Sequence, residues 1–326
     1  MRGDAQVQKI GLLTSGGDCP GMNAAIRAVV RKALHHGVEV VGIRHGYSGL
    51  IEGDAVSMDS QSVADIIHRG GTILHTARAH IFETPEGRAL AMARAARMRL
   101  QGLVIIGGDG SFRGALALHR EHGLPVLGIP ATIDNDIWGT DYSIGFDTAV
   151  NLAVDGINRI RDTAASLERI FIVEVMGRDS GFIALAAGLA GGAEAILIPE
   201  QPFRIEDVCA KLGQSQAKGR QHNIIVVAEG AAGGLEISKK VQERTGLETR
   251  VTILGHLQRG GSPTAFDRIL ASRLGVHAVE LIVGGAVCHM VGFTNGRVTA
   301  WGLEEVTSKR KLLEIDLYQL ATVLSG

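Results

Sequence analysis

Short apolar runs alternate with amphipathic segments of helical length, and this alternation is the feature that most limits how the chain can fold. It begins with residues 10–13, 22–35 and 38–43, which read in order as strand, helix and strand. Further strands are predicted at 103–106, 126–129, 170–175, 195–198 and 223–228. Such a βαβ rhythm is typical of parallel strands joined by helices, so we expect an α/β fold with one or two mostly parallel sheets.

The chain is too long for one ordinary hydrophobic core. Its 326 residues are enough for two α/β domains, each able to bury most of its apolar surface. The sequence has no Ser/Pro-rich linker, low-complexity tract or fixed-period repeat. We therefore expect two domains, with a boundary that composition alone does not locate.

Composition narrows the class of protein. The sequence is 45% hydrophobic and 21% charged, and its longest apolar runs, such as 103–106, are far shorter than a bilayer span. Residues 1–9 resemble no targeting peptide, so we expect a cytoplasmic protein without a membrane segment. Cys19, Cys209 and Cys288 lack the spacing of a zinc site or a disulfide framework. A net charge of −1 provides no global field for nucleic acid, which leaves a small-molecule enzyme or binding protein.

Glycine is unusually frequent and is concentrated where predicted strands end. The 44 glycines in 326 residues are about twice the usual share of roughly 7%. Residues 14–21 follow the first strand and lead into a helix, and residues 107–111 follow the strand at 103–106. There, backbone N–H groups and a helix N-terminus can hold a phosphate. Tight strand-to-helix turns also need glycine for structure alone, so neither loop is decisive by itself.

The second loop contains Asp109, although neither loop is a known nucleotide fingerprint. Arg113 stands where GxGxxG needs its third glycine, and no Gly-Lys pair is present, so there is no P-loop. Asp109 would repel a bare phosphate, which is reasonable if Mg²⁺ lies between the two. The alternative is an aspartate that caps the following helix.

A third polar segment, 130–136, follows the strand at 126–129. If its backbone is extended, residues two apart face the same side, so Thr132, Asp134 and Asp136 line one surface. Phosphoryl transfer to an alcohol needs such a set, because a carboxylate must accept the hydroxyl proton and donors must hold the phosphoryl oxygens. A solvated turn rich in Asp and Asn is the alternative.

Five segments, in this order, resemble motifs of the bacterial ATP-dependent 6-phosphofructokinases. The resemblance covers nearly the whole chain and is weak only in the first eight residues and beyond about residue 306. Each motif alone is unconvincing, but five in order are specific. They are SGGD at 15–18, GGDG at 107–110, TIDND at 132–136, MGR at 176–178 and LGHLQRGG at 254–261.

The resemblance implies two Rossmann-like three-layer αβα domains with the active site in the cleft between them. Residues 1–145 and 258–308 would form the larger domain, which binds ATP and Mg²⁺. Residues 146–257 and 309–326 would form the smaller domain, which binds fructose 6-phosphate. The implied reaction is the ATP-dependent phosphorylation of fructose 6-phosphate at its 1-hydroxyl to fructose 1,6-bisphosphate, a step of glycolysis.

The same resemblance implies catalytic roles for individual residues. Asp134 would be the general base for the sugar 1-hydroxyl, and Thr132 would bond to the transferring phosphoryl group. Arg78 and Arg178 would lie against the charge that develops between donor and acceptor, and Gly17 would offer a backbone N–H.

The implied nucleotide site is centred on the second glycine loop. Asp109 would hold Mg²⁺, with support from Asp136. The ATP-binding set would be Gly17, Arg78, Gly108, Asp109, Gly110 and Ser111.

The implied sugar site has a cationic cluster for the 6-phosphate, formed by Arg169, Arg250, His256 and Arg259. A phosphate dianion needs several charge-assisted donors, each worth roughly 1.5–3 kcal/mol. In this family the residues matching Arg169 and Arg250 reach into the neighbouring subunit's site, which implies a homotetramer. The full set would be Thr132, Asp134, Asp136, Arg169, Met176, Gly177, Arg178, Glu229, Arg250, His256 and Arg259.

Family members also have an effector site for ADP or GDP and for phosphoenolpyruvate at a subunit interface. Arg27 and Arg31 lie four apart, so they share one helix face, although such a pair is usually just solvated. Ser60 stands where some members have another arginine. The matching positions are Arg27, Arg31, Arg161, Glu194, Lys218 and Arg220.

Donor choice separates two branches of this family. Pyrophosphate users commonly have Asp after the metal-binding Asp and Lys before the catalytic Thr, where this chain has Gly110 and Ala131. Gly110 leaves room for the α-phosphate of a nucleotide and favours ATP, whereas Ala131 matches neither branch.

Two other classes of protein are alternatives to a phosphofructokinase. One is a catalytically silent nucleotide-sensing protein of the same fold, which loss of the base or of a metal ligand would favour, yet Asp109 and Asp134 are both present. The second is a kinase of the NAD kinase type, which explains residues 107–110 but not 256–261.

Overall fold

The computed structural model describes residues 7–77, 79–167, 169–217 and 223–324. Its strands are β1 (Lys9–Ser15), β2 (Glu39–Ile43), β3 (Ala55–Met58), β4 (Leu103–Gly107), β5 (Val126–Pro130), β6 (Ile170–Val175), β7 (Ala195–Leu197), β8 (Asn223–Ala228), β9 (Thr249–Ile253), β10 (Cys288–Thr294) and β11 (Arg297–Gly302). Its α-helices are α1 (Met22–His35), α2 (Gly46–Glu52), α3 (Pro85–Arg97), α4 (Asp109–His122), α5 (Phe146–Leu167), α6 (Phe182–Ala190), α7 (Ile205–Ala217), α8 (Gly234–Thr245), α9 (Ala265–Val283), α10 (Leu303–Ser308) and α11 (Ile315–Leu324). The α/β class predicted from the sequence is confirmed.

The larger sheet has seven strands in the order β11-β10-β5-β4-β1-β2-β3. Its strands run parallel from β10 to β2, and the two edge strands, β3 and β11, pair antiparallel with their neighbours. The central strands β4 and β5 are buried along their whole length. Continuous burial of this kind is typical of a parallel sheet with helices on both faces, which explains their unbroken apolar sequences.

The smaller sheet has four parallel strands in the order β7-β8-β6-β9. Every residue of β8 is buried. Its core packs Ile172 and Ile225 from the sheet with Leu212 from α7. Both sheets are therefore mostly parallel, as the βαβ rhythm predicts.

The strands that sequence reasoning missed are β3, β9, β10 and β11. Three of them lie at sheet edges, and β9 and β11 are largely half-exposed or exposed. Their sequences therefore mix polar and apolar residues and give a weaker signal than the short apolar runs by which the other seven strands were predicted.

Contacts between residues divide the chain into two compact units. The first comprises Met1–Thr132, Ile137–Asp147 and Arg259–Lys311. The second comprises Ile133–Asp136, Thr148–Gln258 and Leu312–Gly326. This grouping differs from the division implied by the resemblance chiefly at 133–136, which it assigns to the second unit. The assignment of a ligand to each domain stays a prediction.

The three cysteines are free thiols, with Cys19 buried and Cys209 and Cys288 half-buried. Burial raises the pKa of the Cys209 and Cys288 thiols, which disfavours their reactive thiolate forms. In the described ranges, no helix has both the length and the apolar character needed to cross a membrane.

Candidate active site

Three loops leave the larger sheet side by side at its carboxyl edge. In the parallel register Ser15 of β1 lies beside Gly107 of β4, and Gly107 lies beside Pro130 of β5. The Ala131 N–H donates to the Gly107 carbonyl at 2.9 Å, so the third loop is bonded to the second. Ligands of open α/β sheets bind at this edge, and the two glycine loops do meet there.

The first loop is covered by an arginine from a distant part of the chain. Gly17 is exposed, and a Cβ built on it would lie 2.0 Å from Nη1 of Arg259. The same Nη1 donates to the Asp18 carbonyl at 3.2 Å. Sequence reasoning gave Arg259 only a sugar-phosphate role and missed this contact, because residues 241 positions apart carry no local signal of proximity. Any side chain at Gly17 must push the Arg259 guanidinium aside.

The second loop packs closely against β1 and then opens at the start of α4. A Cβ on Gly107 would lie 2.5 Å from the Ser15 carbonyl oxygen, so only glycine fits there. Gly108 precedes α4 in an extended conformation and provides no side-chain cap. A Cβ on Gly110 would meet nothing within 4 Å. The loop therefore combines a tight approach to the sheet with free space at the helix N-terminus, where anions are favoured.

Asp109 is the first residue of α4, and its carboxylate is half-exposed. It forms an ion pair with Nε of Arg113 at 2.7 Å, and this hydrogen bond raises the pKa of Arg113. Asp109 is not the cap of the helix, because that position belongs to Gly108. An accessible carboxylate is the donor type that suits Mg²⁺, which is commonly held by one or two carboxylates together with substrate phosphates. Among the described residues no group of three or more His, Cys, Asp or Glu side chains could hold a metal by itself.

The expectation that residues 132–136 are extended is wrong. The backbone turns at 133–134, and Asn135 has a left-handed φ of 52°. Because the alternation of an extended chain is lost, Thr132 is half-buried, Asp134 is only 4% exposed and Asp136 is exposed. The Thr132 carbonyl accepts from Ser143 Oγ at 2.7 Å, which anchors the start of the turn.

Within the second unit, Asp134 is attached to the turn that follows β6. The Ser180 Oγ lies 3.2 Å from the Asp134 carbonyl oxygen and 2.9 Å from that of Gly177, and can donate to either. Gly177 has a φ of 143°, and a Cβ there would lie 2.4 Å from the Ser180 carbonyl oxygen. Glycine is therefore required in the MGR segment, and Asp134 and Gly177 lie close together, as expected of residues that share a site.

The carboxyl edge of the smaller sheet gathers the other expected sugar-binding residues. The Arg178 N–H donates to Oε1 of Glu229 at 2.9 Å, and Glu229 follows β8 directly. The Met176 N–H donates to Oε1 of Gln258, which is fully buried, at 2.8 Å. His256 is exposed and lies two positions before Gln258, in the 3₁₀ helix Gly255–Arg259. Gln258 had no role in the sequence analysis, although it lies within the last quoted motif.

Arg169 and Arg250 lie at the opposite edge of the same sheet. Arg169 directly precedes β6, and Arg250 is the second residue of β9. Met176 directly follows β6, so seven residue steps, or about 23 Å at a rise of roughly 3.3 Å per residue, separate its Cα from that of Arg169. That distance exceeds the reach of an arginine side chain. Within one copy of this unit, Arg169 and Met176 therefore lie at opposite ends of the sheet.

The expected effector residues are only partly described. Both Arg27 and Arg31 lie on α1, where Arg27 is half-buried and Arg31 is exposed. Nη2 of Arg161 donates to the Gly192 carbonyl at 2.9 Å, and Glu194 is buried, with Oε2 accepting from the Ile224 N–H at 2.6 Å. Arg161 and Glu194 are thus held by the backbone of the second unit. The remaining predicted residues, Arg78, Lys218 and Arg220, lie outside the described residues.

Comparisons with known proteins show what this chain is similar to. A family model described as phosphofructokinase matches residues 9–282. The chain is 57% identical over 321 residues to ATP-dependent 6-phosphofructokinase 1 of Thermus thermophilus and 56% identical over 331 residues to the ATP-dependent 6-phosphofructokinase of Halothermothrix orenii. These alignments cover 98% of this chain and all of each relative. A solved structure of phosphofructokinase from Saccharomyces cerevisiae superposes with a TM-score of 0.88 at 35% identity, over 97% of this chain and 46% of the yeast chain.

Proposed function

The chain belongs to the phosphofructokinase family, and we propose that it is an ATP-dependent 6-phosphofructokinase. It would transfer the γ-phosphoryl group of ATP to the 1-hydroxyl of fructose 6-phosphate and so produce fructose 1,6-bisphosphate in glycolysis. The observation that carries the proposal is the meeting of the first and second glycine loops with the loop that leads to Thr132, at one edge of the larger sheet. The identity of more than half of all residues to ATP-dependent relatives supports it. The cytoplasmic location stays a prediction.

The proposed chemistry assigns one task to each group. Asp134, which lies in a buried turn, accepts the proton of the sugar hydroxyl. The guanidinium of Arg178 and the hydroxyl of Thr132 stabilise charge on the transferring phosphoryl group. Mg²⁺, held by Asp109 with support from Asp136, would supply neutralisation of the polyphosphate charge.

One assay tests the reaction directly. Purified protein is given fructose 6-phosphate and Mg²⁺ with either ATP or pyrophosphate, and fructose 1,6-bisphosphate is measured. We expect product with ATP and little with pyrophosphate. Product with pyrophosphate alone would refute the donor, and no product with either would refute the activity.

The free space at Gly110 leads to a prediction about donor choice. Replacing Gly110 by aspartate should lower kcat/KM for ATP about tenfold or more, because the added carboxylate repels the α-phosphate. The Gly110→Ala variant is the matched control and should retain most activity, since a Cβ there meets nothing within 4 Å. Kinetics with ATP measure both variants. Equal activity of the two would mean that no phosphate passes near position 110.

We also propose that the protein acts as a homotetramer in which Arg169 and Arg250 complete the sugar-phosphate site of a neighbouring copy. Their place at the amino edge of the smaller sheet, at the opposite end of β6 from Met176, supports this. Light scattering of the purified protein tests the assembly, and a monomer that is fully active would contradict it.

Arg250 should contribute mainly to the affinity for fructose 6-phosphate. The Arg250→Ala variant should raise the half-saturating concentration of this substrate about ten- to hundredfold, the equivalent of one charge-assisted hydrogen bond, with a smaller change in kcat. Arg244→Ala is the control, because Arg244 is another surface arginine paired with a glutamate, Glu206. Saturation curves measure both. An unchanged affinity in Arg250→Ala would remove Arg250 from the phosphate site.

We also propose, on the family resemblance alone, that ADP or GDP and phosphoenolpyruvate control the activity. They would bind at the six effector residues predicted from the sequence. Saturation curves for fructose 6-phosphate, recorded with and without ADP or phosphoenolpyruvate, test it. If neither compound shifts the curve, the proposal is wrong.

A further inference from the structure

A single carboxylate joins the two arginines at the amino edge of the smaller sheet. Oε2 of Glu248 lies 2.7 Å from Nε of Arg169, and Oε1 of the same side chain forms an ion pair with Nη2 of Arg250. All three side chains remain partly exposed, at 28% for Arg169, 43% for Glu248 and 54% for Arg250. A ligand from outside this unit can therefore reach them.

The backbone determines this arrangement. In the parallel register of β6 and β9, Ile170 lies beside Thr249, and the Ile170 N–H donates to the Glu248 carbonyl at 3.1 Å. Arg169 and Glu248 are therefore neighbours across two adjacent strands. Arg250 lies two residues beyond Glu248, on the same side of the chain. The pairing of β6 with β9 thus brings together two side chains that directly precede the strands and one that lies within β9.

The ion pairs with Glu248 leave both arginines with N–H donors that can bind a ligand. Each guanidinium has one nitrogen within ion-pair distance of Glu248, and Nε of Arg169 makes no hydrogen bond there, although an arginine has five N–H donors in a planar fork. Arg88 provides the contrast, because its Nε and Nη2 both bond to Glu121 and its fork is thereby occupied. Two guanidiniums against one carboxylate also leave a net positive charge, which favours an anion. The arrangement is suited to a phosphate group that binds the remaining N–H donors.

We infer that Glu248 is a positioning residue that holds Arg169 and Arg250 together as one phosphate-binding pair. The inference rests on the proposed function, in which these two arginines bind the 6-phosphate. Without Glu248 the two like charges repel each other, and each long side chain regains its rotamer freedom. Binding the phosphate then requires both arginines to be brought together and ordered.

The test is the Glu248→Gln variant, which keeps the size of the side chain and removes its charge. We expect the half-saturating concentration of fructose 6-phosphate to rise about tenfold, while kcat and the KM for ATP change less than about twofold. Glu248→Asp retains the carboxylate and should recover part of the affinity. Glu206→Gln is the matched control, because Glu206 also pairs with two arginines, Arg204 and Arg244, and should leave all three constants unchanged.

The outcomes separate positioning from competition and from a purely structural role. If Glu248→Gln lowers the half-saturating concentration, the carboxylate competes with phosphate and the inference is wrong; no change is equally contrary to it. A loss of affinity accompanied by a matching fall in Tm would indicate a structural role and would also overturn it. If Arg169→Ala and Arg250→Ala leave the affinity unchanged, the proposed phosphate site itself fails. If those two variants weaken binding and Glu248→Gln does not, only the inference fails.

Discussion

Replacing Asp134 by alanine is expected to lower kcat by about 10²- to 10⁴-fold, the usual effect of removing a general base. The affinity for fructose 6-phosphate should change much less, because the carboxylate acts chiefly in the transition state. Asp134 is 4% exposed, and its backbone carbonyl lies 3.2 Å from Ser180 Oγ, so the turn that carries the carboxyl group is anchored before the substrate binds. Steady-state kinetics together with direct binding of the sugar phosphate measure the two effects separately.

The Asp134→Asn variant controls for damage to the turn. Asparagine has the shape of aspartate but cannot accept the proton, so its kcat should be as low as that of Asp134→Ala while Tm stays near the value of the unchanged protein. Near-normal turnover in either variant would remove Asp134 from the role of base. A low kcat with a strongly reduced Tm in both would point to a structural cause.

Replacing Asp109 by asparagine is expected to lower kcat/KM for ATP with Mg²⁺ at least about a hundredfold. Removing a residue that merely supports a metal ligand commonly lowers metal affinity or activity about 10- to 100-fold. Removing a direct ligand should lower activity at least as much. The half-exposed carboxylate of Asp109 stands at the start of α4, two residues after Gly107, which lies beside Ser15 of β1 where the phosphates are expected. Activity measured over a range of Mg²⁺ concentrations should show a higher requirement for the ion.

Asp155→Asn is the matched control for Asp109→Asn. Asp155 pairs with Nε of Arg159 at 2.7 Å and four residues apart, the same geometry as Asp109 with Arg113. Loss of that pair alone should not affect activity, since exposed ion pairs of this kind contribute little. If the two variants behaved alike, the effect at Asp109 would come from its ion pair, and the metal-binding role would be refuted.

The sequence predicted the parts of the site that depend on local pattern. Seven strands were found from short apolar runs, and the loops at 15–18 and 107–110 were placed at strand ends because glycines followed two of those runs closely. Parallel strands end at a common edge, so the meeting of the two loops also followed from the sequence. The edge strands β3, β9 and β11 and the inner strand β10 were missed because each is only partly buried and mixes polar with apolar residues.

The local error at 132–136 has a clear physical cause. Alternation predicts a common face only for extended backbone, and the left-handed Asn135 ends that alternation. Asn is among the residues that tolerate this conformation, so a turn was the alternative that the composition also allowed.

The amino-acid sequence by itself determined the α/β class, the glycine loops and the set of chemically capable residues, because these depend on residues close together in the chain. Only the tertiary structure decided that Arg259 lies on Gly17, that Gln258 bonds to Met176, and that Glu248 joins Arg169 to Arg250. Strand register and packing bring these groups together from segments up to 242 positions apart in numbering. No local pattern of hydrophobicity or charge encodes contacts between residues so far apart in the chain. These contacts follow from how the strands pair across the whole sheet.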